Sequence, residues 1–201
     1  MNITRIRRSV LAASASVVFP VALGIAAPTA SADSATPTPS ASSGSQPFGP
    51  GCSSVPKEGT GGLNDMANDP VATAAAKNPE LATLAAAVKA AGLTDTLNQS
   101  TDITVFAPTN AAFEKIPKSD LDALLANQAQ LKKVLTYHVV DKKITQNELA
   151  NGSFKTLEGS SLTTSGSGDS FTVNNSAKIV CGGIPTANAT VELIDTVLMP
   201  K

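Results

Sequence analysis

The sequence predicts a single α+β domain, because its helical and strand patterns are segregated along the chain rather than alternating. Apolar residues recur at helical spacing in the first half, whereas short alternating runs separated by Gly, Asn, Asp and Ser fill the part beyond Asp141. A strand pattern becomes a helix pattern within three residues in the stretch 103–113. No internal repeat is evident, so we expect one domain.

The stretch 103–113 organises this prediction. Ile103 to Ala107 alternates with a period of two and is rich in β-branched and aromatic residues, which is typical of a strand. Pro108 ends the strand because it has no N–H to donate and fixes φ near −65°. Thr109 is the predicted N-cap of a helix over residues 110–116, with its hydroxyl accepting a backbone amide.

The clearest helix begins near Asn78, which is the predicted N-cap, with Pro79 in the first helical position. Gly92 ends this helix after an apolar face that starts at Leu81. A shorter helical turn before it, over residues 71–76, is predicted to use Asp69 as its cap.

Further helices and the strands follow the organising stretch. Ser119 and Asp122 resemble a capping box for one helix, and a second helix is predicted over residues 128–135. Strands are predicted over residues 136–140, 153–157, 161–165, 170–173, 177–181 and 190–199, the last being the longest.

The first 32 residues have the pattern of a secretory signal peptide. A basic segment is followed by an apolar run over residues 9–27 and by Ala30-Ser31-Ala32, an A-x-A cleavage site. A retained membrane anchor is the alternative, but the small residues of the run and the cleavage site favour removal. Residues 33–47, rich in Ser, Thr, Pro and Ala, are a predicted flexible linker, and residues 48–201 form the predicted domain.

Charge excludes two classes of partner. Cleavage removes three arginines, which leaves 12 lysines against 16 acidic residues and a net charge of −4. Because the mature chain has no arginine, nucleic acid is not an expected partner. An acidic chain also does not suit anionic lipid, and no membrane insertion is expected after signal cleavage.

Cys52 and Cys181 are the two cysteines, and in a secreted chain the default is a disulfide between them. It would close a loop of well over 100 residues. A metal or redox pair is the weaker alternative, because the cysteines are far apart in sequence and only one histidine is present.

Candidate catalytic residues are few. His138, the single histidine, is either a general base or metal ligand, or a structural residue bonded to Thr104, Thr109 or Asn110; we favour the structural role. No nucleophile-elbow motif accompanies it, and no cluster supplies the three or four ligands of a zinc site.

Two carboxylate pairs are also poor candidates for acid–base chemistry. Asp120 and Asp122 suit a helix start, and Glu192 and Asp195 fall on opposite faces of a strand. No catalytic or metal site is therefore predicted.

Three motifs in order resemble the fasciclin domain family. They are residues 104–113, the Tyr-His segment 137–140 and the closing segment 194–200, and the resemblance covers about residues 62–200. With Gly49-Pro50-Gly51-Cys52 and Val180-Cys181-Gly182-Gly183, the chain is similar to small secreted single-domain immunogenic antigens of mycobacteria and related actinobacteria. It lacks the lipidation cysteine that some relatives carry at the signal.

The resemblance implies a wedge-shaped β-sandwich with helices packed on one part, no cofactor and no enzymatic activity. It assigns structural motif roles to seven residues: Thr104, Phe106, Pro108, Thr109, Asn110, Phe113 and His138. By position, it makes six residues candidates for partner binding: Val134, Leu135, Tyr137, His138, Val139 and Val140.

The expected function is that of a secreted or cell-wall-associated, non-enzymatic adhesion protein. Its expected partner is an extracellular protein or glycan on a cell surface, matrix or envelope, and the expected state is a monomer. The alternative is an extracellular carrier of a small apolar ligand, held between helices and sheet.

Overall fold

The computed structural model describes residues 46–200. The predicted signal peptide and nearly all of the predicted linker lie outside the described residues. The α-helices of the described part are α1 (Leu63–Met66), α2 (Val71–Lys77), α3 (Ala82–Ala90), α4 (Thr94–Gln99), α5 (Asn110–Glu114), α6 (Lys118–Ala126), α7 (Gln128–Tyr137) and α8 (Gln146–Leu149), and 3₁₀ turns lie at Pro50–Ser54 and Pro79–Leu81. Its strands are β1 (Ile103–Pro108), β2 (Val139–Val140), β3 (Asn151–Lys155), β4 (Ser161–Ser167), β5 (Ser170–Val173), β6 (Ala177–Pro185) and β7 (Ala189–Ile194).

The strands of the described part form one seven-stranded sheet in the order β2-β1-β7-β6-β5-β4-β3. β1 and β7 are parallel, and the other neighbours are antiparallel. The sheet nearly closes on itself, because Val140 bridges Thr156 and the Leu157 amide donates to the Val139 carbonyl at 2.8 Å. The α+β class is therefore confirmed. One continuous curled sheet contains all the strands of the described part.

The sheet separates two hydrophobic clusters. Val105 and Leu193 belong to the cluster that the helices cover, whereas Phe106 and Ile194 belong to the cluster enclosed by the curled sheet. The alternation follows from the two-residue period of strands. Every residue of β1 and β7 is buried, so these two strands form the centre of the domain.

The corner after β1 confirms the predicted stop and corrects the predicted cap. Pro108 is the last paired residue of β1, opposite Ile194. Thr109 occupies the N-cap position of α5, but its hydroxyl makes no capping bond, and its carbonyl accepts the Ala112 amide at 2.9 Å. The α5 helix ends at Glu114, two residues earlier than predicted.

Helix starts depend on prolines more than predicted. Asn78 caps as expected, accepting the Glu80 amide at 2.9 Å. Asp69 was wrongly assigned as a cap, because α2 starts directly after Pro70 and the Asp69 carboxylate pairs with Lys77 Nζ at 2.6 Å. The capping box at Ser119 is also wrong: α6 begins at Lys118, since Pro117 already provides the turn into the helix.

Two strand predictions need correction. Residues 136 and 137 continue α7, His138 is its C-cap, and β2 contains only Val139–Val140. Burial of the helical face set by Leu131 and Val134 overrides the β propensity of this segment. β6, with nine residues, is the longest described strand, whereas β7 stops at Ile194 because the following Asp195 side chain accepts the Lys178 amide at 2.8 Å.

The disulfide predicted between Cys52 and Cys181 is present, with the Cα atoms 4.7 Å apart. It fastens the Pro50–Ser54 turn to β6. Next to it, Phe48 and Gly182 exchange two backbone hydrogen bonds of 3.0 and 2.7 Å. The N-terminal segment is thereby joined to the edge of the enclosed cluster, which contains the Phe48 ring.

Candidate functional site: a groove over Tyr137

His138 connects the end of α7 to the C-terminal segment. Its ring Nδ1 lies 2.8 Å from the Val134 carbonyl, and its Nε2 lies 2.9 Å from the Leu198 amide. Because that amide donates to Nε2, Nδ1 carries the proton and the ring is neutral. The structural role predicted for His138 agrees with this geometry, but the predicted partners Thr104, Thr109 and Asn110 are wrong.

Burial reinforces the neutral state of His138. The side chain is 2% exposed, and desolvation lowers its pKa to about 4, against the smaller opposing effect of the Val134 carbonyl. Both ring nitrogens are engaged with backbone groups. A general base needs a free nitrogen facing a substrate, and this ring presents none in the described conformation.

The other motif residues hold the core together. Thr104 Oγ1 donates to the Lys142 carbonyl at 2.8 Å and accepts the Ile144 amide at 2.9 Å, which ties the loop after β2 to β1. Asn110 Oδ1 accepts the Thr83 amide at 3.1 Å, while its Nδ2 donates to the Pro79 carbonyl at 2.7 Å. Phe106 and Phe113 are buried on opposite sides of the sheet.

The six candidate partner-binding residues are all at most 5% exposed. Val134, Leu135 and Val139 pack in the cluster beneath the helices, and Val140 packs in the enclosed cluster. Direct contact of these aliphatic side chains with a partner is therefore incompatible with the described conformation. The binding role of this region stays a prediction, and it requires an exposed surface next to the buried segment.

One surface next to this segment is a groove of about 640 Å³, which we call the Tyr137 groove. The lining residues come from the end of α7, the start of β4, the turn after β5 and the C-terminal segment: Tyr137, Ser160, Ser161, Thr163, Asn174, Asn175, Ser176, Val197, Leu198 and Met199. Most of them carry hydroxyl or amide groups. Among these lining residues only the Tyr137 phenol is ionisable, so the groove suits an uncharged polar partner.

The turn after β5 builds one wall of the groove. Asn174 and Asn175 adopt the left-handed conformation, with φ values of 51° and 54°. Asparagine tolerates this region better than most residues. The Asn174 side chain accepts the Thr163 amide at 3.0 Å and donates to the Tyr137 hydroxyl at 3.0 Å. The wall and the Tyr137 phenol are therefore held in one network.

The opposite side of the groove, its lip, is formed by the C-terminal segment 197–199, which His138 holds in place. His138 Nε2 holds the Leu198 amide, so the segment ending at Met199 lies over the end of α7. Met199 is 49% exposed, the highest exposure among the large hydrophobic residues of the described part. A groove in which most lining residues carry hydroxyl or amide groups, with one exposed thioether at its lip, combines hydrogen-bonding groups with a contact point of low polarity.

Neither carboxylate pair assembles into a catalytic site. Glu192 is buried, and its Oε1 accepts the Gly183 amide at 3.1 Å, whereas Asp195 pairs with Lys115 Nζ at 3.0 Å on the surface. Burial raises the pKa of Glu192 to about 8, against the smaller opposing effect of the Gly183 amide. Asp120 lies in the first turn of α6 and Asp122 follows on the same helix, both exposed.

Two features escaped the sequence analysis. The Tyr137 groove joins segments distant in sequence, and only the Tyr-His motif pointed to it. Glu192 had a clearer signal, because it is an acidic residue within the predicted strand 190–199, and the structure places it opposite the Gly182-Gly183 pair of β6.

The described part of the chain contains neither a cluster of metal-ligating side chains nor a helix that could span a membrane. Within residues 46–200, no three His, Cys, Asp or Glu side chains cluster closely enough to hold a metal ion. No helix there has the length and apolar character needed to cross a bilayer.

Comparison with known proteins identifies the architecture. The fasciclin domain model matches residues 79–200, which includes all three motifs and most of the described sheet. The chain belongs to the fasciclin domain family. As a fasciclin-domain protein it is extracellular, secreted or associated with the cell surface, and its role is related to adhesion.

Curated relatives extend the likeness beyond the domain model. The chain is 48% identical over 160 residues to the immunogenic protein MPB70 of Mycobacterium bovis, covering 76% of this chain and 81% of that protein. It is 46% identical over 161 residues to the cell surface glycolipoprotein MPB83 of the same species, covering 76% and 72%. A Synechocystis protein, sll1483, is 39% identical over 128 residues, covering 63% and 71%.

Proposed function

We propose that this fasciclin-domain protein is a non-enzymatic adhesion protein that binds an extracellular protein or glycan through the Tyr137 groove. The observation that carries the proposal is the groove itself, because it is lined by Tyr137, the first residue of the Tyr-His segment to which the family resemblance assigns partner binding. The Tyr137 phenol is the one side-chain group of that segment lining the groove with a polar atom.

The chemistry of the groove favours a polar, uncharged surface as the partner. Serine, threonine and asparagine side chains match sugar hydroxyls or the backbone of an exposed loop, both of which donate and accept hydrogen bonds. A groove of about 640 Å³ is within the size range of small-ligand and oligosaccharide sites. The net charge of −4 after signal removal remains unsuited to nucleic acid or anionic lipid.

The engaged state of His138 supports a non-enzymatic role. Both ring nitrogens of His138 bind backbone groups. The two carboxylates considered for acid–base chemistry lie elsewhere: Glu192 accepts the Gly183 amide, and Asp195 pairs with Lys115. A serine-hydrolase activity probe should leave the protein unlabelled. Labelling that His138→Gln abolishes would contradict the proposal.

The carrier alternative is less well supported. An apolar cavity does lie between α2, α3, α4, α7 and β1, but its volume is about 30 Å³, the space of roughly one water molecule. Drug-sized ligands occupy sites of about 300–1,000 Å³. A carrier role would therefore require these helices to separate. Native mass spectrometry of the purified protein tests it, and a bound apolar molecule would favour the carrier.

The adhesion proposal is tested with Met199→Lys, which places a long charged side chain at the lip of the groove. Purified protein of residues 33–201 is titrated over a glycan array, immobilised matrix proteins and an envelope fraction. We expect saturable binding to one class of surface and a loss of about tenfold or more in affinity for Met199→Lys.

Leu125→Lys is the matched control. Leu125 is also an exposed large hydrophobic residue, at 39%, but it lies on α6 and does not line the groove. Binding by this variant should equal that of the unmodified protein. Equal weakening by both substitutions, or equal binding by both, would show that the groove is not the contact surface.

A further inference from the structure

Met199 is the one methionine of the described residues whose side chain is exposed. It is 49% exposed and lines the Tyr137 groove. The other methionine of residues 46–200, Met66, is 0% exposed, and its sulfur accepts the Asn78 side-chain amide at 3.3 Å. An oxidant that arrives from solvent therefore meets Met199 before Met66.

The other side chains that oxidants attack readily are absent or already oxidised. The sequence contains no tryptophan. Its two cysteines, Cys52 and Cys181, form the disulfide, which leaves no free thiol among the described residues. Mild oxidation is thereby directed to one methionine, and this methionine lies on the proposed contact surface.

The segment that carries Met199 is anchored directly before it. Val197 is buried in the cluster beneath the helices, and Leu198 is buried in the enclosed cluster. The Leu198 amide also donates to His138 Nε2 at 2.9 Å. Because these two neighbours fix the segment, a change in the polarity of Met199 takes effect at the groove.

We propose that Met199 is an oxidation site, and that its conversion to methionine sulfoxide by a peroxide weakens binding at the Tyr137 groove. The effect on binding rests on the proposed adhesion function. The site of oxidation rests only on the exposure of Met199 and on the protection of the other sulfur atoms.

The reaction is a two-electron oxygen transfer from hydrogen peroxide. The sulfur lone pair of Met199 attacks one peroxide oxygen, so an S–O bond forms and the O–O bond breaks. The proton of the transferred hydroxyl passes to the departing hydroxide, which leaves as water. Sulfur loses two electrons and peroxide gains them. The product carries one extra oxygen and no net charge, and methionine sulfoxide reductases restore the thioether.

The sulfoxide changes the one exposed hydrophobic contact of the groove. Val197 and Leu198, the aliphatic residues of the lining, are buried, and most of the other lining residues carry hydroxyl or amide groups. A partner that packs against Met199 must remove water from the new S–O oxygen, which costs free energy unless the oxygen finds a donor. We expect the affinity to fall about threefold or more.

The site of oxidation is tested on purified protein of residues 33–201 treated with hydrogen peroxide. Proteolytic peptides are then compared by mass spectrometry over the time of treatment. The peptide that contains Met199 should gain one oxygen atom about tenfold faster, or more, than the peptide that contains Met66. Equal rates for the two peptides, or faster oxidation of Met66, would overturn the assignment.

The effect on binding is tested with two matched variants on the glycan array, the immobilised matrix proteins and the envelope fraction. Met199→Leu has no sulfur at the groove, so its affinity should be the same before and after peroxide treatment. Met66→Leu keeps Met199, so its affinity should fall on treatment as that of the unmodified protein does. A treated protein with Met199 oxidised and its affinity unchanged would refute the inference.

The outcomes separate this inference from the adhesion proposal. If Met199→Lys weakens binding but oxidation does not, or if Met199→Leu also loses affinity on treatment, the oxidation inference fails and the adhesion proposal stands. If Met199→Lys binds normally, the adhesion proposal fails together with the effect of oxidation on binding. The peptide comparison still decides in that case whether Met199 is the oxidised residue.

Discussion

At the scale of single residues, one neutral imidazole joins two segments 60 residues apart. We expect His138→Ala to lower the free energy of unfolding by about 3 kcal/mol, because it leaves the Val134 carbonyl and Leu198 amide without their side-chain partner and opens a cavity. Urea denaturation followed by circular dichroism measures this change.

The control for this substitution is functional. Because His138 holds the C-terminal segment that lines the Tyr137 groove, the folded fraction of His138→Ala should also bind partners more weakly. Unchanged stability combined with lost activity would instead identify His138 as a site residue.

The structural role of His138 was predictable from the absence of a catalytic set around it, but its partners were not. Both are backbone groups, at Val134 and Leu198, and a backbone carbonyl or amide has no residue type that a sequence can reveal. The side-chain partners suggested by the sequence serve other contacts. Thr104 binds the loop at Lys142 and Ile144, and Asn110 binds the start of α3.

At the scale of elements, Asn110 attaches α5 to the turn that precedes α3. We expect Asn110→Ala to cost about 1–2 kcal/mol, because the Thr83 amide and the Pro79 carbonyl both lose their side-chain partner. Asn127→Ala is the comparison, since Asn127 caps α7 through the Gln130 amide alone. Thermal melts should rank Asn110→Ala as the more damaging, and the reverse order would refute the attachment.

The disulfide acts on the same scale by fixing the Pro50–Ser54 turn against β6. Replacing both cysteines with alanine should lower the free energy of unfolding by about 4–5 kcal/mol in the chain-entropy model, because the cross-link spans 129 residues. Chemical denaturation of the oxidised protein and the double variant measures the difference. A loss below about 1 kcal/mol would mean that the unlinked chain is already restricted in its unfolded state.

Elements with local signals were predictable, and elements set by pairing were not. Pro108 ends β1, Asn78 begins the 3₁₀ turn before α3, and Gly92 follows α3 at φ 67°, each as its own conformational preference requires. The predicted end of α7 was wrong, because burial of one face of the helix extends it to Tyr137. The lengths of β6 and β7 depend on a bulge and on Asp195, which involve contacts between strands.

At the scale of the whole molecule, the Tyr137 groove is a product of topology. The Tyr137 groove combines residues near positions 137, 161, 175 and 198, which meet because the sheet curls until β2 approaches the segment after β3. Nothing in a local pattern brings these segments together. The sequence therefore supplied the family and the central motif, and the structure supplied the surface over it.

Two buried titrating groups, His138 and Glu192, have opposite effects on how the stability of the protein depends on pH. The pKa of His138 is lowered from 6.5 to about 4, so the unfolded chain binds a proton that the folded protein does not, and the free energy of unfolding falls as pH drops from 6.5 to 4. The pKa of Glu192 is raised from 4.5 to about 8, so the folded protein binds the extra proton, and stability falls as pH rises from 4.5 to 8.

Between pH 4.5 and 6.5 the two slopes, each up to roughly 1.4 kcal/mol per pH unit, have opposite signs and should largely cancel. Glu192→Gln should therefore expose a rise in stability from pH 4.5 to 6.5, followed by a plateau. His138→Gln should expose a continuous fall from pH 4.5 to 8. Urea denaturation of both variants at half-unit pH steps measures the slopes. Parallel profiles of the free energy of unfolding against pH for the two variants would refute the opposite effects of His138 and Glu192.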